Sequence, residues 1–370
     1  MSAIRVGLDV GGTKIEALAL SEDDTILGRT RIPTGWGDDA VIAAALAAID
    51  ALAEEAGFAV ADVISIGIGI PGLVDAANGR VLHAVNLGVE ELDLAAAIRA
   101  RIPVPVAVEN DVKAAAVGAG SLRGDAHSMA YLNLGTGVAA GILIEGSLWR
   151  GARGTAGEVG HLSVDPAGRV CGCGQRGCIE TFCGGGAVMK AWGRGGELPI
   201  RDIFDLAETG DPLAAELREG IAFGAASAVR ALVLSADVET VVIGGGVTAL
   251  GDRLLGDLVG RLRRENAASP FIASLRLDER IELLPAGSPA ASLGAALVGA
   301  ALLHGEEPHT GRVVVASDGA QGNSAEPSTV EPATAEPATA APATAVPATA
   351  EPATAKPATP LIESEGALHG

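Results

Sequence analysis

Hydrophobic positions along the chain fall into short runs that end at glycine turns. Residues 4–10 and 15–20 are mostly apolar, and the turn between them is Gly11-Gly12-Thr13. A third apolar run, 26–32, follows after a polar stretch. Short apolar runs bounded by glycine and polar residues predict β-strands. The N-terminal segment is therefore predicted to begin as strand, tight turn and strand.

The same order recurs near the middle of the chain. A strand over 129–134 is predicted to end in Gly135-Thr136-Gly137 and to precede a second strand over 138–144. An alanine-rich segment over 39–56 has helical periodicity and stops at Gly57. Further predictions are strands over 63–70, 104–108 and 240–243, a helix after residue 111, and a helix over 211–235. Because each half opens on the same unit, we predict an α/β protein with two related lobes that face a cleft.

The composition changes abruptly after residue 307. Proline recurs every fifth residue from Pro332 to Pro357, with alanine and threonine between. Proline at this spacing prevents a helix, and the small side chains offer little to bury. We predict a disordered tail over 308–370, an N-terminal lobe over 1–116 completed by a helix near 290–305, and a C-terminal lobe over 117–289.

Charge and cysteine usage limit the classes of function. The formal net charge of −20 disfavours nucleic-acid binding, which needs basic patches. The first residues lack the layout of a signal peptide, and no uninterrupted apolar run reaches the ~20 residues that span a bilayer. All four cysteines lie between Cys171 and Cys183, which is typical of a metal or redox cluster in a reducing compartment. We therefore expect a cytoplasmic protein.

Three glycine turns that follow predicted strands are candidates for phosphate binding. They are Gly11-Gly12-Thr13, Gly135-Thr136-Gly137 and Gly244-Gly245-Gly246. Glycine lets the backbone approach a phosphate closely, and successive N–H groups can form an anion-binding nest. The chain has neither a Walker motif nor a GxGxxG after the first strand. Asp9, at the end of that strand, could hold Mg²⁺ near phosphates or could cap the following turn, and the sequence leaves both open.

His161 and three cysteines have the composition of a zinc site. Cys171, Cys173 and Cys178 lie close together, ten or more residues after the histidine. Three thiolates and one imidazole form a tetrahedral set that structural zinc prefers. Cys183 leaves a four-cysteine set open. A redox pair of Cys171 and Cys173 is a further alternative, although dithiol catalysis usually places two residues between the cysteines.

Taken together, these motifs resemble the ROK family of repressors, open reading frames and kinases. The resemblance rests on runs 9–14, 69–75, 109–111 and 134–137, and on Glu158-Val159-Gly160-His161 followed by the cysteine run and Glu180. It extends from Asp9 to about Gly299. It implies a two-lobed actin-like ATPase fold, with ribonuclease H-like lobes, and an ATP-dependent kinase that phosphorylates a free hexose.

The resemblance also implies roles for individual residues. Asp111 would be the catalytic base, and its place at a helix start would keep it ionised; a helix N-cap is the competing interpretation of Asn110 and Asp111. The residues that would bind sugar are Gly72, Asn110, Glu158, His161 and Glu180. Those that would bind ATP and Mg²⁺ are Asp9, Gly11, Gly12, Thr13, Lys14, Gly135, Thr136, Gly137, Gly244, Gly245 and Gly246. Those that would bind Zn²⁺ are His161, Cys171, Cys173 and Cys178, and this zinc would order the sugar site rather than act as a Lewis acid.

Three features depart from the family pattern. Ala139 and Ala140 follow the second phosphate turn where many relatives have further glycines, and these methyl groups could crowd a phosphate or simply pack the next strand. Cys183 stands where a small or hydroxyl residue is more usual, and we expect it to be buried away from the metal. No tryptophan neighbours Asn86-Leu87 in the sequence.

Glucose is the first expectation for the substrate, followed by N-acetylmannosamine, N-acetylglucosamine and fructose. Three other functions stay open. A sugar-sensing repressor is disfavoured by the charge and by the position of Asp9 near the start. A sugar-binding protein without catalysis is disfavoured by the presence of Asp9 and Asp111. A polyphosphate-dependent enzyme is disfavoured by the cysteine run. The family resemblance implies a dimer or tetramer.

Overall fold

The computed structural model describes residues 3–195 and 199–305, and the predicted tail over 308–370 lies outside the described residues. Within this part of the chain there are thirteen strands and ten helices. The strands are β1 (Ile4–Val10), β2 (Lys14–Leu20), β3 (Ile26–Pro33), β4 (Val63–Ile70), β5 (Leu73–Asp75), β6 (Arg80–Ala84), β7 (Val89–Leu92), β8 (Val106–Asn110), β9 (Ser128–Leu134), β10 (Val138–Ile144), β11 (Ser147–Trp149), β12 (Thr240–Gly244) and β13 (Ile281–Leu283). The helices are α1 (Asp38–Ala56), α2 (Leu94–Arg99), α3 (Asp111–Arg123), α4 (Glu180–Cys183), α5 (Gly185–Trp192), α6 (Pro199–Glu208), α7 (Pro212–Ala236), α8 (Asp252–Ala268), α9 (Pro270–Ser274) and α10 (Ala290–His304).

The first sheet has the strand order β3-β2-β1-β4-β8. β1, β2 and β3 are joined antiparallel, whereas β1, β4 and β8 run parallel. Nearly every residue of β4 is buried, as expected for a central parallel strand covered on both faces. The carboxyl ends of β1, β4 and β8 therefore meet at one edge of this sheet.

The second sheet repeats this plan. Its order is β11-β10-β9-β12-β13, in which β9, β10 and β11 are antiparallel and β9, β12 and β13 are parallel. A small antiparallel sheet of β5, β6 and β7 is inserted after β4. The prediction of two related α/β lobes is confirmed by these two sheets of like topology.

Helix α10 returns from the end of the described chain to the first sheet. It packs on β1, β4 and α3, and α3 also packs on β9 and β10 of the second sheet. The contacts are close because glycines line them: a Cβ at Gly67 would lie 1.7 Å from the carbonyl oxygen of Ala295, and one at Gly294 would lie 1.7 Å from that of Ala114. The predicted lobe boundary after residue 116 falls within α3, and the lobe limits stay a prediction.

Most predicted elements are present with small shifts at their ends. The strand predicted over 104–108 is Val106–Asn110, because its pairing with β4 continues to Ile70 opposite Asn110. The helix predicted over 211–235 is α7, and the Asp211 side chain caps it by accepting a hydrogen bond from the Ala214 N–H at 2.9 Å. The small sheet was not predicted, because strands of three to five residues have too little periodicity to recognise.

Among the described helices, α7 is long and apolar enough to cross a membrane, which the sequence analysis did not anticipate. The relevant window is 56% buried inside the protein. Its side chains Leu217, Ile221 and Val229 belong to the core that covers the second sheet. A buried core helix passes the same test of length and composition, so α7 is weak evidence for a membrane span.

Candidate active site

A cleft of about 930 Å³ takes its wall from residues attached to both sheets. This volume lies within the usual range for small-molecule sites. The predicted site residues that line it are Gly11, Gly12, Gly72, Asn110, Asp111, Thr136, Gly137, Glu158, His161 and Glu180. The structure therefore brings together the predicted catalytic, sugar-binding and phosphate-binding groups from six separate segments of the chain.

The carboxyl edge of the first sheet positions three acidic residues, of which Glu109 and Asp111 line the cleft and Asp9 does not. Strand register aligns Asp9 with Gly69 on β4, and Gly69 with Glu109 on β8. Asp111 follows two residues later as the first residue of α3. A Cβ at Gly69 would lie 3.5 Å from the Asp111 Cα. The absence of a side chain on β4 thus leaves room for the start of α3.

Asn110 connects the strand, the helix and the turn at Gly72. Its side-chain oxygen accepts hydrogen bonds from the backbone N–H groups of Val112 and Lys113 at 3.1 and 3.2 Å, so Asn110 is the N-cap of α3. Its amide nitrogen donates to the Gly72 carbonyl oxygen at 3.3 Å. Gly72 has a φ of +105°, a conformation that favours glycine. The capping interpretation thus applies to Asn110, which leaves Asp111 available to the cleft.

Burial raises the pKa of Asp111 above its ordinary value. The Glu158 carboxylate raises this pKa further, whereas hydrogen bonding from the Val112 N–H lowers it without reversing the shift. Desolvation thus outweighs the helix terminus in setting this pKa, and the ionisation of Asp111 stays a prediction. A carboxylate with a raised pKa is a stronger base when it is ionised.

Asp9 is a second carboxylate with little stabilisation from the protein. Burial, together with the charges of Asp111 and Glu16, raises the pKa of Asp9 to about 7. Its carboxylate accepts no hydrogen bond from any residue that the structure describes, so it does not cap the turn at Gly11 and Gly12. A cation would offset the repulsion between these carboxylates, so the arrangement is compatible with Mg²⁺.

The other two glycine turns lie next to each other at the corresponding edge of the second sheet. β9 and β12 are parallel, with Asn133 opposite Gly244. A Cβ at Gly245 would lie 2.5 Å from the carbonyl oxygen of Leu134, just before the second phosphate turn. The third glycine turn, Gly244-Gly245-Gly246, thus adjoins the second phosphate turn without lining the cleft itself. The predicted residues Thr13, Lys14 and Gly135 belong to the phosphate turns but are not among the residues that line the cleft.

The predicted metal ligands converge at one end of the cleft. The ligand atoms of His161, Cys171, Cys173 and Cys178 all lie within 4.8 Å of one another. The Cys173 and Cys178 Sγ atoms are 3.7 Å apart, and the His161 Nδ1 is 3.7 Å from the Cys171 Sγ. Cys183 is fully buried outside this group, and its thiol donates to the Ile179 carbonyl oxygen at 3.5 Å.

These separations fit a tetrahedral zinc ion. Metal–ligand distances of about 2.3 Å for sulfur and 2.0–2.1 Å for nitrogen place tetrahedral ligands about 3.6–3.8 Å apart. The cysteines are unbonded, because a disulfide needs its sulfurs about 2.05 Å apart. The set is therefore compatible with Zn²⁺, and the four-cysteine alternative is not supported by the position of Cys183. Since His161 offers Nδ1 to the cluster and lines the cleft, its other ring nitrogen is available to a ligand.

Comparison with known proteins decides the family. A sequence model of the ROK family matches residues 5–306. The chain belongs to the ROK family. It is 34% identical over 272 residues to the glucokinase of Halalkalibacterium halodurans, which covers 68% of this chain and 82% of that one. It is 32% identical over 275 residues to the N-acetylmannosamine kinase of Yersinia pseudotuberculosis, covering 73% and 89% of the two chains.

A solved structure of a ROK family protein shares the fold. The glucokinase of Streptomyces griseus, determined in complex with glucose and AMPPNP, superimposes with a TM-score of 0.65 and 30% identity. The match covers 80% of this chain and 99% of that one. The predicted actin-like ATPase fold is thereby confirmed.

The departures from the ROK pattern have structural explanations. Ala140 is buried in the core of the second sheet, and Ala139 is partly buried against the residues between the sheets. Both lie on β10, where Ala140 packs in the core, whereas Ala139 also lines the cleft beside Val138. A Cβ at Gly157 would lie 1.8 Å from the Ala140 carbonyl oxygen, so the backbone at Gly157 packs directly against the backbone of β10. Trp36, distant in sequence, lies against Gly88 beside the Asn86 segment, where the sequence has no neighbouring tryptophan.

Sequence reasoning missed the groups that hold the segment preceding Glu158. Glu109 is almost fully buried and accepts a hydrogen bond from the Arg150 Nε at 2.7 Å. Lys113 is also buried, and its Nζ donates to the Gly154 carbonyl oxygen at 2.8 Å. The two contacts join the end of β8 and the start of α3 to the segment after β11. A basic residue one turn into a helix could have been noticed, but its partner is a backbone atom about forty residues away, which no local pattern indicates.

Tyr131 is the single tyrosine of the chain and was also missed. It lies on β9, largely buried between the sheets, and a Cβ at Gly244 would lie 2.2 Å from its hydroxyl oxygen. Burial raises the pKa of Tyr131, and the charges of Asp9 and Asp111 raise it further. The hydroxyl therefore stays neutral and lies beside Gly244 of the third glycine turn.

Proposed function

We propose that this protein transfers the terminal phosphoryl group of Mg·ATP to a hydroxyl of a free hexose, with glucose as the first candidate. The observation that carries the proposal is the composition of the cleft. Asp111, the polar residues Asn110, Glu158 and His161, and glycines of both phosphate turns line one cavity. The broader prediction of an ATP-dependent sugar kinase agrees with the kinases among its relatives and is confirmed by them.

In this proposal Asp111 is the general base. Its carboxylate takes the proton of the attacking sugar hydroxyl, the hydroxyl oxygen forms a bond to the γ-phosphorus, and the bond to the β–γ bridging oxygen breaks to release ADP. The proton stays on Asp111, whose raised pKa favours this transfer. General base assistance of this kind contributes about 10²–10⁴ in rate.

The hexose is held by groups that accept or donate hydrogen bonds. Asn110, Glu158, His161, Glu180 and the Gly72 turn are the proposed sugar ligands. Aromatic residues make up 2% of the chain, so recognition relies on polar side chains rather than stacked rings. In this proposal Asp9 would hold Mg²⁺, which when bound supplies charge neutralisation at the phosphates.

Zinc has a structural place in this proposal. All four positions of a tetrahedral ion would be filled by His161, Cys171, Cys173 and Cys178, so no position is left for substrate. Metal ligation through Nδ1 would set the tautomer and orientation of the His161 ring, so that its Nε2 is presented to the sugar.

The main question about the substrate is whether it is glucose or an N-acylated sugar. Glucose is favoured by the higher identity to a glucokinase, whereas the N-acetylmannosamine kinase is nearly as similar. N-acetylglucosamine and fructose remain further candidates. A cytoplasmic location and a dimer or tetramer belong to the same proposal, since ATP and free hexoses meet inside the cell and the family resemblance implies an oligomer.

The test is ADP release from Mg·ATP across a panel of hexoses and N-acetylhexosamines, with Asp111→Asn beside wild type. We expect turnover with one sugar and a loss of about 10²–10⁴ in kcat for the variant, because the base is removed. Sugar affinity of the variant should stay within several-fold of wild type.

Asp50→Asn provides the matched control. Asp50 is an exposed residue in the middle of α1, and the same chemical change there should leave kcat and KM unchanged. If no sugar of the panel is phosphorylated by the zinc-containing protein while sugar still binds, the chain is a non-catalytic sugar sensor and the kinase proposal is wrong.

A further inference from the structure

The carboxylate of Glu180 lies where the metal cluster and the second phosphate turn meet. One oxygen, Oε2, accepts a hydrogen bond from the backbone N–H of Val138 at 3.0 Å. The other oxygen, Oε1, lies 3.9 Å from the Cys171 Sγ. Glu180 follows the predicted metal ligand Cys178 by two residues and also lines the sugar side of the cleft.

The backbone after Glu180 is joined to the same phosphate turn. The Gly185 N–H donates to the Gly135 carbonyl oxygen at 2.8 Å, and the Gly186 N–H donates to that of Thr136 at 2.9 Å. With the bond to Val138, three hydrogen bonds connect the short segment 180–186 to residues 135–138. These bonds link the position of the turn to that of this segment.

The atoms at this junction are closely packed as well as hydrogen-bonded. A Cβ at Gly137 would lie 2.6 Å from the Glu180 Oε2, and one at Gly184 would lie 2.8 Å from the Glu180 carbonyl oxygen. On the opposite side, a Cβ at Gly224 of α7 would lie 2.9 Å from the buried Cys183 Sγ. The segment is held between the phosphate turn and the long core helix, so a displacement at Glu180 is passed to the turn.

We propose that Glu180 is a positioning residue for the nucleotide: through its bond to the Val138 N–H it couples the metal cluster and the sugar site to the second phosphate turn. This inference rests on the proposed function and deepens it. A sugar hydroxyl or an occupied metal cluster restricts the carboxylate to one orientation. That orientation holds the Val138 peptide, and with it the direction of the neighbouring N–H groups that face the phosphates.

The consequence is reciprocal coupling between sugar and nucleotide. If sugar binding orders Glu180, the sugar increases the affinity for nucleotide, and the nucleotide must increase the affinity for sugar by the same factor. The coupling depends on the Val138 bond rather than on the charge of Glu180 alone. Glu180→Ala removes the acceptor, whereas Glu180→Gln keeps a carbonyl oxygen that can accept from the Val138 N–H.

The experiment measures the dissociation constant of Mg·ADP by calorimetry on the full-length, zinc-containing protein. It is done without sugar and with saturating D-glucose or N-acetyl-D-mannosamine in turn. For wild type we expect one of the sugars to tighten Mg·ADP binding at least fivefold. For Glu180→Ala we expect Mg·ADP to bind about tenfold more weakly without sugar, because a charge-assisted hydrogen bond is lost, and the sugar effect to disappear.

Two variants separate positioning from general damage. Glu180→Gln should recover Mg·ADP affinity to within about threefold of wild type. Glu158→Ala removes a carboxylate that lines the same cleft but has no hydrogen bond to the phosphate turn among the described residues, so its Mg·ADP affinity without sugar should fall less than that of Glu180→Ala. Asp50→Asn, on the exposed face of α1, should bind Mg·ADP as wild type does. Zinc content is measured for each variant, so that loss of metal is not mistaken for loss of coupling.

The inference is overturned if Glu180→Ala binds Mg·ADP as wild type does. It is also overturned if neither sugar changes the Mg·ADP affinity of a wild-type protein that phosphorylates sugar. A zinc-depleted wild-type protein, returned to Mg²⁺ without chelator, should bind Mg·ADP more weakly and recover on addition of zinc. Absence of turnover with every sugar would instead reject the proposed function, so the two failures are distinguishable.

Discussion

Asp9 and Asp111 are the residues whose chemistry depends most on their surroundings. Both lie at the carboxyl edge of the first sheet, and burial raises the pKa of each. Asp9 accepts no hydrogen bond from the described residues. The charge of Asp111 raises the pKa of Asp9, and the charges of both carboxylates raise the pKa of Tyr131. Repulsion between two such carboxylates destabilises the folded protein when no ligand is bound, and a bound cation reduces this repulsion.

Asp9→Asn should therefore stabilise the protein at alkaline pH when Mg²⁺ and nucleotide are absent. The pKa of Asp9 is about 7 in the folded protein against 3.8 for the unfolded chain. Stability linked to this group is fully present below the unfolded value and is lost as the pH rises through 7. The ionised carboxylate then costs up to ~4 kcal/mol, and less where solvent reaches it.

Urea unfolding of wild type and Asp9→Asn at several pH values measures this effect. The variant should exceed the wild type most at pH 8, and the difference should shrink steadily toward pH 4. Asp50→Asn, on the exposed face of α1, should show no such trend. A difference between Asp9→Asn and wild type that is constant with pH would mean that Asp9 is not the group with the raised pKa.

At the scale of single elements, the segment 158–178 shows how backbone geometry assembles a metal site. The Cys171 N–H donates to the Gln175 carbonyl oxygen at 2.8 Å, and the Gly177 N–H donates to that of Arg169 at 2.8 Å. Gly177 has a φ of +62°, and a Cβ there would lie 1.7 Å from the Asp165 carbonyl oxygen. Gly172, between two predicted ligands, has open space around it.

Gly177→Ala should abolish tight metal binding, whereas Gly172→Ala should retain it. The first change places a methyl group against a backbone oxygen and forces a left-handed conformation that alanine disfavours. The second does neither. Zinc per chain, measured by mass spectrometry after gel filtration, distinguishes them. Equal zinc content in the two variants would contradict the geometry described for the segment.

At the scale of the whole molecule, α3 and α10 join the two sheets through backbone contact. α10 is rich in alanine and glycine, and most of its residues are buried. A Cβ at Gly118 would lie 1.9 Å from the Ala290 carbonyl oxygen, and one at Gly294 would lie 1.7 Å from that of Ala114. The close crossing of the helices brings Asp111, at the start of α3, to the same cleft as the residues of the second sheet.

Gly294→Ala should destabilise the protein by at least ~2 kcal/mol, because the helices must separate to admit the methyl group. Gly256→Ala is the matched control: Gly256 is an exposed residue inside α8 with nothing near a Cβ. That substitution should stabilise by ~0.5–1 kcal/mol, since alanine favours a helix. Urea midpoints give both values. A loss of stability below 1 kcal/mol for Gly294→Ala would show that α3 and α10 are not in backbone contact.

The sequence by itself determined much of the fold and of the candidate site. Local patterns predicted the strand–turn–strand unit of each half, the end of α1 at Gly57, and the grouping of His161 with three cysteines. Apolar periodicity, glycine turns and ligand spacing are properties of neighbouring residues, so the sequence shows them directly. The family resemblance then implied roles for the remaining residues, such as sugar binding for Asn110 and Glu158.

Only the tertiary structure decided which distant groups meet and what the meeting does to their chemistry. The raised pKa of Asp111 depends on its burial, which the helix-start pattern could not indicate. The contact of Glu180 with Val138 and the burial of Lys113 against Gly154 likewise join segments far apart in sequence. Local sequence patterns report the conformation of a segment, whereas burial and non-local contacts depend on how all segments pack together.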